Sequence, residues 1–326
     1  MPKPRSQQIS LLDTQSYHIC SRTVRKAFLC GVDIETGVSF EHRRDWIEKR
    51  LFQLTQVFAI DICAYAVMHN HLHIVLHVDS EQVKNWSTAE ALTRWHQLFK
   101  GTLLTQKYQN NQPLDKFQLA MVESTADVYK KRLIDISWFM RSLNEPIARQ
   151  ANKEDNCTGH FWEGRFKSQA LLDEGALLSC MAYVDLNPIR AAIAPTPEQS
   201  DFTSIQLRIK AAIKGGQPPA LLPFTGNEHQ KKQKGIDFSL NDYLALVDET
   251  GRILRDNKRG AISEKTNNIL ARLHISNESW LKLTREFECV FTGAVGTAEH
   301  LSEFSEHVGL KRTHGIANAQ ACLNSA

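Results

Sequence analysis

Two apolar runs, Phe58 to Met68 and Leu72 to Val78, are separated only by the polar step His69-Asn70. Rich in β-branched and aromatic residues, they read as an antiparallel hairpin, which commits the chain to a sheet. Ser16 to Ser21 reads as an earlier strand, ending in the basic segment Arg22-Thr23-Val24-Arg25-Lys26. Helical spacing covers Glu41 to Leu54 and Glu81 to Phe99. Ser124 or Thr125 is the expected cap of a next helix, with Asp127 in its first turn, running to Pro146. Gly159 to Leu171 reads as extended and Glu174 to Tyr183 as helical, with Pro188 perturbing the helix beyond Tyr183. The order is βαββα, a helical insertion, then β and α. The expected class is therefore α+β, an antiparallel sheet with helices on one face.

Prolines and glycines between Pro195 and Pro223, then the polar run Gln230 to Gly235, predict a linker. The expected organisation is a domain over 1–195, a linker over 196–236 and a mostly helical module over 237–326. Helices in the module are expected at Leu240 to Val247, Glu264 to Leu273 and Glu278 to Phe291.

Of the 326 residues, 42% are hydrophobic and 23% charged, as in a soluble globular protein. No apolar stretch reaches the length of a membrane span, and no apolar segment follows Met1 to Gln8, so no export signal is expected. The 7 cysteines are odd in number and lack a Cys-x-x-Cys pair, against both a disulfide framework and a zinc ribbon. The expected compartment is the cytoplasm. A net charge of +3 permits a nucleic-acid partner without requiring one.

His71 and His73 flank one leucine on the second hairpin strand. Strand side chains alternate faces, so both imidazoles share one side, about 7 Å apart and within reach of one metal ion. The plainer alternative is a hydrogen-bonded core histidine, but two imidazoles in so apolar a strand need partners. Mg²⁺ or Mn²⁺ would suit phosphate chemistry there. Far downstream, Tyr183 and Asn187 are four apart and share a helix face, Pro188 comes directly after, and Arg190 is suited to a phosphate. A phenol, an amide oxygen and two imidazoles describe a metal-assisted tyrosine nucleophile.

With both motifs quoted, the chain resembles the insertion-sequence single-tyrosine (Y1) transposases of the HUH endonuclease superfamily, and more closely the REP-associated tyrosine transposases. Met68-His69-Asn70-His71-Leu72-His73 matches the family's strand motif except at His69, where the family has proline. Tyr183-Val184-Asp185-Leu186-Asn187-Pro188-Ile189-Arg190-Ala191 matches its nucleophile segment. Phe139 to Asn144, Gly159 to Ser168 and Tyr17 to Arg22 look like further signatures, with Thr23 where a glycine is usual. The resemblance spans about residues 15 to 195. It implies a ferredoxin-like sheet of the HUH nuclease type, with His71, His73 and Asn187 as metal ligands and Tyr183 as nucleophile. It also implies cleavage and transfer of single-stranded or hairpin DNA. A monomer or a homodimer is compatible with it.

Arg22, Arg25, Lys26, Arg165, Lys167 and Arg190 are the expected DNA contacts, with Phe161, Trp162 and Phe166 either stacking bases or packing in the core. Two competing readings are a domesticated hairpin-binding protein without catalysis and another metallohydrolase using the histidine strand. The first has no need of the intact motifs. The second lacks a convincing further ligand set.

Overall fold

The computed structural model describes residues 4–24, 28–33, 35–226, 234–255 and 263–323. Arg25 and Lys26 lie outside them. Four strands, β1 (Ser16–Arg22), β2 (Ile60–Val67), β3 (His71–Val78) and β4 (Lys167–Leu171), form one antiparallel sheet in the order β2-β3-β1-β4. With helix α1 (His42–Val57) between β1 and β2, and further helices between β3 and β4, this is the ferredoxin-like α+β arrangement.

Between β3 and β4 come α2 (Ser80–Lys84), α3 (Thr88–His96), α4 (Leu103–Gln109), α5 (Lys116–Leu133) and α6 (Ile136–Glu154). Beyond β4 lie α7 (Glu174–Asp185), α8 (Asn187–Arg190), α9 (Ser204–Ala212), α10 (Leu240–Arg255), α11 (Glu264–Arg272), α12 (Asn277–Val290), α13 (Ala298–His307) and α14 (Ile316–Cys322). None of the described helices is long and apolar enough to cross a membrane.

Three helical expectations are corrected, two of them by capping chemistry. The single helix expected over Glu81 to Phe99 breaks because Ser87 caps α3, accepting from Glu90 N at 3.1 Å. Ser124 and Thr125 start no helix: Asp115 and Gln118 form a capping box nine residues earlier, and Thr125 bonds back to Met121 O at 2.7 Å. Pro146 does not end α6. The carbonyl it leaves without a helical donor, Ser142 O, accepts from Arg50 Nε at 2.9 Å instead.

The chain forms two compact units, one of residues 1–44, 62–77 and 163–326, the other of 45–61 and 78–162. In the second, Trp95 stacks on Tyr129 with centroids 4.2 Å apart and on Phe99 at 4.3 Å. Its Phe161 is buried and Trp162 Nε1 donates to Asn144 O, so both are packing residues. In the first unit, one hydrophobic cluster joins Cys63, Val75 and Leu171 of the sheet to Met181 and Val184 of α7, Leu246 of α10 and Leu283 and Phe287 of α12. The stretch expected as a linker carries α9, whose Arg208 donates to Cys63 O and Leu222 O. The helices after 237 thus share their core with the sheet and α7.

Candidate metal centre and tyrosine

Strand register puts the chemistry on one face. Cys20 stands opposite His73, Arg22 opposite His71, and His18 opposite both Val75 and Gln169 of β4. Cross-strand partners share a face and alternate residues return to it, so His18, Arg22, His71, His73 and Gln169 all point the same way. The turn before His71 is held by its backbone: His69 O accepts from Leu29 N and Cys30 N, and Asn70 O from Thr23 N. Gly31 (φ +99°) lies under the His69 ring, where a Cβ would come within 3.0 Å of Cδ2. Close approach of that loop fixes the turn.

The two strand histidines present the same nitrogen. His71 Nδ1 lies 2.7 Å from Asn70 Oδ1, an acceptor, so Nδ1 carries the proton. His73 Nδ1 lies 2.9 Å from His18 Nε2, and His18 Nδ1 lies 2.7 Å from Gln169 Oε1. The Gln169 amide is oriented by Phe291 O and Gly293 O, which can only accept and therefore face its NH₂ group. Protons are ordered along the chain: His18 donates to Gln169, accepts from His73, and leaves the His73 Nε2 lone pair free. Burial, together with the neighbouring positive groups, pulls His71 down to about 4 and His73 well below the usual imidazole range. Both are neutral, as metal ligands must be.

Tyr183, on α7, sits over this face. Its ring centroid is 5.8 Å from that of His73 and 6.2 Å from that of His18, both edge-on. Phe287 of α12 packs beside it at 5.7 Å, and the phenol donates to Glu288 Oε2 at 3.4 Å. α12 departs from helical backbone at Glu286 (φ −131°, ψ 26°), immediately before these two residues. Arg190 lies over the Tyr183 ring at 3.9 Å and donates to Tyr183 O (2.7 Å) and Thr284 O (2.9 Å). Burial raises the Tyr183 phenol above its ordinary value, with Arg190 opposing and Glu288 reinforcing.

His18, His73 and Glu288 each bring a ligand atom within 4.8 Å of the others. Nitrogen and carboxylate donors fit a divalent transition ion; His71, whose Nε2 is also unprotonated, lies beside His73 but outside this group of three. Of the residues expected from sequence, His71, His73, Tyr183 and Arg190 come together here. Asn187 is buried at the start of α8, its carbonyl accepting from Ala191 N; among the described residues no hydrogen bond joins its amide to either imidazole. Arg22, Arg165 and Lys167 are exposed. His18 and Glu288 were not nominated from sequence. His18 is signalled only by sharing parity with Cys20 and Arg22 on a strand; Glu288, 105 residues beyond Tyr183, carries no signal.

The sequence matches no protein-family model and no curated protein. Among solved structures it is similar to a REP-associated tyrosine transposase bound to a REP hairpin. The identity is 11% and the TM-score 0.37, over 70% of this chain and 96% of that one. At that level of similarity the fold rests on the strand order itself.

Proposed function

We propose that this chain is a metal-dependent enzyme that cuts and rejoins single-stranded, hairpin-containing DNA through a covalent bond to Tyr183. The observation that supports it is the convergence of Tyr183 with His18, His73 and the Glu288 carboxylate on one sheet face. His71 and His73 would hold Mn²⁺ or Mg²⁺ through Nε2, with Glu288 and, as the sequence nominates, Asn187 completing the donors. When bound, the cation polarises the scissile phosphate and stabilises charge on its non-bridging oxygen.

The raised phenol makes Tyr183 a poor nucleophile until its proton leaves, and Glu288 Oε2 is the acceptor. The phenol oxygen bonds to phosphorus, the bond from phosphorus to the 3′ oxygen breaks, and that oxygen departs as a 3′-hydroxyl after taking up a proton. The phosphotyrosine keeps the bond energy for rejoining. Arg22, Arg165 and Lys167 would hold flanking phosphates, and Arg190 the tyrosine. Residues 1–195 supply the histidines and nucleophile, while the segment 237–326 supplies Glu288.

The test incubates purified protein with Mn²⁺ and single-stranded hairpin DNA from the flank of its own gene. A covalent adduct on a denaturing gel is expected for wild type and not for Tyr183→Phe. Tight, metal-independent hairpin binding without an adduct would replace this reading with the non-catalytic binder.

A further inference from the structure

Beside the tyrosine, at the exposed end of β4, lies a cavity of about 370 Å³. Its lining includes Gln169 and Glu288, the residues that back His18 and meet Tyr183. Phe291, Leu301 and Phe304 form its apolar wall, and Arg5, Arg165 and Lys167 stand around it. Glu288 is the acidic residue of the lining, and it faces the phenol.

The basic group is short of counter-charge. Arg5 lies flat on the Phe166 ring at 3.6 Å and donates to two neutral acceptors, Gln8 Oε1 and Phe166 O. Burial and the positive charge of Arg165 bring Arg5 down to about 10. Among the described residues no carboxylate forms an ion pair with Arg5, Arg165 or Lys167. Cations lining an apolar, aromatic-walled cavity without a paired carboxylate are arranged for an anion carrying a flat ring.

We propose that this cavity takes the base of one unpaired nucleotide adjoining the cleaved phosphodiester, with that nucleotide's phosphate between Arg5, Arg165 and Lys167. The ligand class rests on the DNA-cleaving reading above. Aromatic and apolar walls accept any base by its face, while the guanidiniums read phosphate, so the site fixes the position of the strand rather than its sequence. Holding the neighbouring base would set the scissile phosphate against the phenol.

The test is abasic scanning. Hairpin oligonucleotides with one abasic site at each position of the single-stranded flank are bound to the full chain in EDTA, which prevents cleavage, and read by fluorescence anisotropy. One position is expected to weaken wild-type binding about tenfold, in line with the loss of one stacked base. Ala294→Leu, which adds bulk at a position of the cavity lining, and Arg5→Gln are each expected to flatten that profile with melting temperature unchanged. A flat wild-type profile, or one whose sensitive position survives both variants, overturns the proposal. If the profile behaves as expected and no covalent adduct ever forms, the cavity stands and the cleavage reading falls; an adduct with a flat profile means the reverse.

Discussion

His73 donates through Nδ1 to His18 Nε2 at 2.9 Å, and this bond decides which nitrogen of His73 faces the site. The decision is made further back, where two carbonyls orient the Gln169 amide and the amide oxygen fixes the His18 proton on Nδ1. Gln169→Leu removes the anchor and frees the His18 tautomer, so either nitrogen of His73 can then be protonated. Mn²⁺ affinity measured by calorimetry is expected to fall about 10–100-fold, the cost of losing a ligand's outer partner. Unchanged affinity in a folded Gln169→Leu protein would refute the relay.

Metal binding should persist to unusually low pH. An imidazole at the ordinary value of about 6.5 is roughly one-tenth neutral at pH 5.5, so an exposed pair would lose about a hundredfold in affinity there. His71, pulled down to about 4, and His73, held well below the usual imidazole range, stay neutral. Affinity for Mn²⁺ is expected to change less than about threefold between pH 7.5 and 5.5, the cost of competing protons being small. The same shifts act on folding. The unfolded histidines bind protons below about 6.5 while the native ones do not, so their contribution to metal-free stability is lost as pH falls from there through about 4.

The hairpin, the first strand and the His-x-His pair were legible because apolar runs and alternation depend on a residue's near neighbours. Tyr183 and its helix were legible through the spacing to Asn187 and Pro188. The helix start at Ser87 was hidden inside one continuous helical spacing over Glu81 to Phe99, and that at Asp115 was missed because Thr125 offered a competing capping signal that the helix spends on Met121 O. His18 could be seen on its strand, but its partnership with His73 depends on cross-strand register. Glu288 lies on an amphipathic helix whose polar positions look alike until α12 is docked beside α7, a long-range packing fact.

Asp185 ties the end of α7 to α9 and α10. Its carboxylate accepts from Ser204 Oγ, from Ile205 N at 3.0 Å and from Tyr243 OH at 2.5 Å. Asp185→Ala leaves two buried donors, Ile205 N and Tyr243 OH, without an acceptor, while Ser204 Oγ keeps Tyr65 O, and it is expected to cost about 3–5 kcal/mol in denaturant unfolding. Burial raises this carboxyl to about 6. A raised acid binds its proton more tightly folded than unfolded, so its contribution is present below about 4 and lost as pH climbs through about 6. The stability of wild type minus that of Asp185→Asn should therefore decline across that window, opposite in sign to the histidines. A flat difference would place the titration elsewhere.

Besides the donor that Glu288 would offer a cation, the carboxylate combines two effects on the phenol that Glu288→Gln separates. As a negative charge near the phenol, Glu288 helps to raise Tyr183; as an acceptor 3.4 Å from its oxygen, it can take the proton. Glutamine removes the charge, so the phenol should ionise at lower pH and, were charge the whole story, adduct formation at pH 7 would speed up. Losing the base has the opposite sign and the larger size, about 10²–10⁴-fold in rate for a positioned general base. Single-turnover adduct formation is expected to slow by that factor at saturating Mn²⁺, with the deficit shrinking as pH rises and hydroxide takes over the proton. Arg190→Met provides the contrast. Arg190 holds the phenol down, so removing it should shift the alkaline limb of the same profile upward without a pH-independent loss. A Glu288→Gln protein as fast as wild type at pH 7 would remove Glu288 from the proton's path.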